Sequence, residues 1–172
     1  MKTSTMTSVK WGFAWLVFGM AVLTPWQMAS AQGGGPGFQA VQAIPTQGAD
    51  NWEFFTIDDS HYLVMANYRD DLIWDINSTI YRWDGSNFVE FQSISTVGAK
   101  DWEFFTIGSD YYLVVANARS ASTHNVDSVI YRWNGTSFVE FQSILTHDAP
   151  AWKFFAFGGN YYLAVANHYN DS

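Results

Sequence analysis

Carboxylates are the groups of this 172-residue chain best placed to do chemistry, and they recur. Glu53 and Glu103 sit inside the same tetrapeptide, Trp-Glu-Phe-Phe, and Lys153 takes their place in a third occurrence. Glu90 and Glu140 repeat likewise. A glycosidase needs two carboxyls at a set separation, one acid and one base. A position repeated in every copy serves the packing of every copy, so these glutamates form no such pair. His61, His124, His147 and His168 each fall in a turn or loop and recur in no other copy. No Gly-x-Ser-x-Gly nucleophile elbow is present. Without cysteine, disulfides and thiolate metal sites are excluded. The chain reads as a non-enzyme with no catalytic residue.

One polar stretch, Tyr68 to Asn77, breaks the periodicity. It gathers Asp70, Asp71 and Asp75 around Trp74, which stands where the next copy has His124. Calcium prefers six to eight oxygens, and three carboxylates make a weak calcium site at most. No other cofactor is expected. A Trp in a polar loop, at a place the fold does not demand it, stacks on a sugar or anchors a protein interface. Trp74, Asp70, Asp71, Asp75 and His124 are therefore the candidate partner contacts. On this reading Trp74→Ala leaves thermal stability nearly unchanged.

The elements that position these residues come from self-comparison. Trp52, Trp102 and Trp152 share one spacing with Asn67, Asn117 and Asn167, and with Phe38, Phe88 and Phe138. Copies 38–87 and 88–137 align without a gap, and 138–172 is a truncated third. Each full copy holds four short runs rich in aromatic and β-branched residues: Phe88–Ile94, Trp102–Ile107, Tyr111–Asn117 and Ser128–Trp133 in the second. Asp84-Gly85 and Asn134-Gly135 supply the positive-φ residues of tight hairpin turns. Both faces of Tyr111–Asn117 are apolar, so both must be covered, and a ring of face-to-face sheets does that. The expected fold is all-β: β-propeller blades, two full four-stranded blades plus one incomplete. From the axis outward, each blade is ordered Trp102–Ile107, Tyr111–Asn117, Ser128–Trp133, then the Phe-Val-Glu-Phe run of the following copy. The link from Ser95 to Asp101 must cross from one blade's outer edge to the next blade's inner edge. The polar loops Tyr68–Asn77 and Ala118–Asp127 share only Arg69 and Arg119.

The two ends of the chain differ in kind. Lys2 and Lys10 precede an apolar run, Trp11 to Leu23, then Pro25 and Ala29-Ser30-Ala31. That order is a secretory signal over residues 1–31, cleaved before Gln32, with 32–37 a flexible spacer. Losing two of the 8 basic residues takes the net charge from −8 to −10. Nucleic acid and anionic lipid repel such a domain. The expected location is secreted, periplasmic or on the cell surface, with no membrane span after cleavage.

Three motifs carry a family resemblance: Asp101-Trp-Glu-Phe-Phe-Thr-Ile-Gly108, Tyr111-Tyr-Leu-Val-Val-Ala-Asn117 and Asp127-Ser-Val-Ile-Tyr-Arg-Trp-Asn-Gly-Thr136. With Phe138-Val-Glu-Phe-Gln-Ser-Ile144 they resemble the EPTP repeat, also called the epitempin or EAR repeat. The resemblance covers residues 38–172. It implies a propeller, usually of seven repeats, that binds other extracellular proteins and has no attributed enzymatic activity. The expected function is a secreted or cell-surface module binding an extracellular protein or glycan through its loop face. A lectin or glycoside hydrolase on the same blades is the alternative. Two and a half repeats cannot close a ring, so further repeats or self-association are expected to complete it.

Overall fold

The computed structural model describes residues 12–18, 38–71 and 73–169, which divide into two compact units. The cleavage motif Ala29-Ser30-Ala31 and the spacer 32–37 lie outside the described residues. The smaller unit pairs β1 (Gly12–Phe18) with β2 (Gln39–Thr46) in a two-stranded sheet. The run read as an outer blade strand, Phe38–Ile44, thus finds its partner in the apolar N-terminal segment.

The larger unit is built of antiparallel sheets. The first takes β3 (Ala49–Ile57), β4 (Ser60–Asn67), β5 (Asp75–Trp83) and β6 (Phe88–Val97), hydrogen-bonded in that order. The second repeats it with β7 (Ala99–Ile107), β8 (Asp110–Asn117), β9 (Asn125–Trp133) and β10 (Phe138–His147). A hairpin of β11 (Trp152–Phe157) and β12 (Asn160–Val165) begins a third. This is the expected blade order, and each sheet borrows its fourth strand from the following repeat. The innermost strands line up, β3 against β7 and β7 against β11.

Burial explains the stacking. In β4 and β8 six consecutive residues are buried, so both sheet faces are covered. One face of β4, with Tyr62, Val64 and Ala66, meets Trp102 and Phe104 of β7. The same face of β8, with Tyr112, Val114 and Ala116, meets Trp152 and Phe154 of β11. Phe55 stacks on Phe104 at 4.6 Å between ring centres, and Phe105 on Phe154 at 4.7 Å.

Within the blades, two features differ from the sequence expectation. The crossing link is strand for almost its whole length: β6 runs to Val97 and β7 starts at Ala99, leaving Gly98 between them. Extended chain covers the most distance per residue, about 3.3 Å, and the crossing needs that reach. Gly98 turns the chain at φ 56°, and a Cβ there would fall 2.6 Å from the Arg119 carbonyl oxygen. In the third copy Asp148 takes this place at φ 50°, a region that Asp tolerates better than most residues. Second, the outer strands carry bulges. The β5–β6 register slips between Glu90 and Gln92, and β9–β10 between Glu140 and Gln142. A bulge re-aims a side chain, and Phe91 lies against Tyr62 and Trp133.

Candidate functional site

The repeated carboxylates Glu53 and Glu103 line the inner strands, where they tie one blade to the next, while Glu90 and Glu140 lie on the outer strands β6 and β10. Glu103 is buried; one oxygen accepts the Phe154 N–H at 2.9 Å and the other meets the Lys153 ammonium at 2.8 Å. Glu53 accepts the Phe104 N–H in the same way, one blade earlier. Asp101 accepts from the Asn51 amide at 2.7 Å and from the Trp152 N–H at 3.4 Å. Burial pushes the Glu53 and Asp101 carboxyls above their usual ranges against these lowering hydrogen bonds, and the negative charge of Glu103 adds to the rise. The hydrogen bond to Glu103 holds Lys153 above the usual lysine range. Glu53 and Glu103 serve as staples between blades, as a repeated position leads one to expect, and Asp101, where the other copies have Asn51 and Ala151, adds a contact of its own.

A second polar system runs behind the loops. Asn117 accepts the Val97 N–H at 3.1 Å and donates to the Asp127 carbonyl at 2.8 Å. Asn67 does the same with Gln47 and Asn77. Ser128 and Thr146 share a hydrogen bond of 2.9 Å in the interior, and Ser78 and Thr96 one of 3.0 Å. These residues fasten the base of each long loop to the crossing strand beside it.

The long loops and crossing links share one face. Trp74 is only 8% exposed, which corrects the expectation of an exposed contact residue. Its ring lies between the Arg119 guanidinium, 4.4 Å from the ring centre, and that of Arg69 at 5.3 Å. Tyr68 meets the ring edge-on at 5.0 Å, and the Trp74 carbonyl accepts the Gly98 N–H at 2.7 Å. Trp74 thereby locks the loop of the first blade to the crossing link and to the loop of the second. The fold has a use for a Trp there after all, through an arginine supplied by the next blade.

The other sequence candidates stay at the surface without converging. Asp71 and Asp75 are exposed and Asp70 half-buried. Among the described residues no group of three or more acidic, histidine or cysteine side chains is placed to hold a metal ion. Asp70 and Asp75 instead flank a shallow depression with Ile73 and Asn77. His124 is half-buried with its ring 4.6 Å from Tyr169. Next to it lies a charged group that sequence reasoning missed. Asp148 pairs with Lys100 at 3.4 Å and His168 at 3.4 Å, and Lys100 lies over the Tyr68 ring at 5.2 Å. The signals were there: Asp148 replaces a repeated glycine, and Arg69 and Arg119 are what two otherwise unlike loops share.

Comparison with known proteins agrees with this geometry. A family model described as "EPTP domain" matches residues 37–84, 87–134 and 137–172. A mouse protein described as "Thrombospondin-type laminin G domain and EAR repeat-containing protein" is 48% identical over 48 residues, which is 28% of this chain and 7% of that relative. Its human counterpart is 44% identical over the same length and shares. The chain thus aligns with about 7% of the length of these curated relatives.

Proposed function

Because this chain belongs to the EPTP domain family, we propose that it is an exported binding module that engages an extracellular protein through its loop face. The observation that carries this reading is the division of labour between strands and loops. The strands repeat nearly residue for residue and are spent on packing, whereas the loops of the two blades share one arginine position and differ elsewhere. Loops held on a rigid scaffold are where binding specificity resides. Trp74, Arg119 and Gly98 brace this face, so its exposed groups, Asp71 and Asp75 among them, are held in place. Rigid presentation lowers the entropy cost of binding. The negative charge favours a basic partner surface.

Both oxygens of Glu103 are committed to the neighbouring blade, which supports a structural role for this glutamate. Export rests on the order of charges, apolar run and small residues before Gln32. Among the described residues no helix is long and apolar enough to cross a membrane. A glycan-binding reading draws on one cleft between the blades, on the tight-turn side, lined by Asp58, Arg82, Phe91 and Trp133.

The test is binding of the chain to an array of extracellular domains. Asp71→Lys with Asp75→Lys is expected to weaken the captured partner at least about tenfold, and Ser86→Lys on the opposite turn is expected to change nothing. The reverse pattern would reject the loop face. Chain collected from the medium should begin at Gln32 by intact mass, and a Met1 start would reject export.

A further inference from the structure

The cleft on the tight-turn side lies at the contact between the first two blades, and both supply its walls. Asp58, Ser60, Arg82 and Phe91 come from the first blade, and Trp133 from the end of β9 in the second. Its volume is about 370 Å³, within the roughly 300–1,000 Å³ of small-molecule sites. Phe91 and Trp133 are half-buried with ring centres 5.9 Å apart, so part of each ring is open to the cleft.

The second blade shows which group an arginine at this place holds. Arg132 is the counterpart of Arg82, and its guanidinium pairs with the Asp110 carboxylate at 2.9 Å. The two arginines sit alike in the register, Arg82 opposite Tyr62 and Arg132 opposite Tyr112. In the first blade Ser60 stands in the place of Asp110. Among the described residues no carboxylate comes within ion-pair distance of Arg82. Its guanidinium lies over the Phe91 ring instead, 5.6 Å from the ring centre. An arginine without its carboxylate presents a planar fork of donors that matches a carboxylate from outside.

Asp58 narrows the ligand further. One of its oxygens accepts the Tyr111 hydroxyl of the second blade at 3.1 Å, and a carboxylate has acceptor capacity beyond that bond. A ligand seated here meets a cation, an acceptor and aromatic rings together. An acidic sugar has the matching parts: a carboxylate, hydroxyl donors and an apolar face of C–H groups. The chain's net negative charge is screened over about 8 Å at physiological salt, so for a ligand with one charge the nearby guanidinium decides.

We propose that this cleft binds a saccharide bearing a carboxylate, which pairs with Arg82 as Asp110 pairs with Arg132, while its hydroxyls donate to Asp58 and its C–H face lies against Trp133 and Phe91. The proposal deepens the glycan-binding reading and is independent of the loop face, which lies at the other end of the blades.

Titration with methyl β-glucuronide, followed by NMR at the Trp133 indole N–H, tests this. Methyl β-glucoside carries a neutral hydroxymethyl group in place of the carboxylate, and acetate is the carboxylate alone. The glucuronide is expected to give a saturable shift, and each control to bind at least about tenfold more weakly. Arg82→Gln is expected to lose at least about tenfold in affinity. Ser60→Asp rebuilds the ion pair of the second blade, which the fold already accommodates, and is expected to lose as much. Arg132→Gln, outside the cleft, is expected to bind as the unaltered chain does. So is the double variant Asp71→Lys with Asp75→Lys, which breaks the loop face, so the two readings fail separately. No saturable shift in the unaltered chain, equal binding of the glucoside or of acetate, or full affinity in Ser60→Asp overturns the proposal. If circular dichroism shows that Arg82→Gln has lost its strands, Ser60→Asp alone carries the test.

Discussion

The second blade and the terminal hairpin carry nearly the same inner residues and live in opposite surroundings. Phe105 and Tyr112 of the second blade stack at 5.3 Å, as Phe155 and Tyr162 of the hairpin do at 5.4 Å. The first pair is buried under Phe154, and the second faces outward. Stacking within a hairpin is therefore local and survives without a neighbour, but burial is supplied by the next blade. Most of the stability of such a structure resides in the interfaces between repeats. Removing a residue should cost according to its interface rather than its place in the repeat.

The sharpest break of that comparison is at the repeated Trp. Trp102 is 1% exposed between two blades and Trp52 is 52% exposed. Trp102→Ala is expected to cost about 3–5 kcal/mol, and Trp52→Ala within about 0.5 kcal/mol, both read from urea midpoints. Equal costs would show that the repeat position, and not the neighbouring blade, decides. The indole N–H of Trp102 has no hydrogen-bond partner among the described residues. Its contribution is therefore packing, and Trp102→Phe should recover most of the loss.

Trp74 comes next. Held between Arg69 and Arg119, it belongs to the contact between blades despite lying in a loop. Trp74→Ala is expected to cost about 2–3 kcal/mol, somewhat less than a fully buried Trp. An unchanged melting temperature would restore the reading of a free contact residue.

The repeated Asn sharpens the same contrast at smaller scale. Asn117 is buried with two hydrogen bonds, whereas Asn167 is exposed and accepts one, from the His147 N–H at 3.0 Å. Asn117→Ala should cost about 1–3 kcal/mol because it strands buried polar groups. Asn167→Ala should cost a small fraction of that. Hydrogen exchange on the two variants would locate the loosening, at the β6–β8 junction in one and at the hairpin alone in the other.

The smallest effect is on pH dependence. Burial raises the Asp101 carboxyl above its unfolded value. The folded state therefore binds more protons in the window between the two values, so stability falls as pH rises through it and is level above. Asp101→Asn should flatten that slope just above the ordinary aspartate range. The hairpin has Ala151 at this place and contributes no such slope. A slope unchanged in the variant would move its source to Glu53, whose carboxyl is raised in the same sense.

The period of the aromatic residues and the Asp-Gly and Asn-Gly turns were enough, by themselves, to set the strands of the two full blades and their antiparallel order, but not the pairing of Phe38–Ile44, which joins β1 rather than a blade. Alternation and turn chemistry are local and are written along the chain. The structural role of Glu53 and Glu103 was legible for the same reason, since a residue shared by both full copies meets the same backbone neighbour in each. The extended crossing at Gly98, the bulges at Phe91 and Phe141 and the burial of Trp74 were decided in three dimensions. Gly98 donates to the Trp74 carbonyl, accepts from the Ala118 N–H and is crowded by the Arg119 carbonyl, all distant in sequence. Trp74 looked free because its own loop is polar, and the ring is covered by Arg119 from the following repeat. A polar loop says how a residue's sequence neighbours meet water; whether the residue itself does depends on which blade lies beside it.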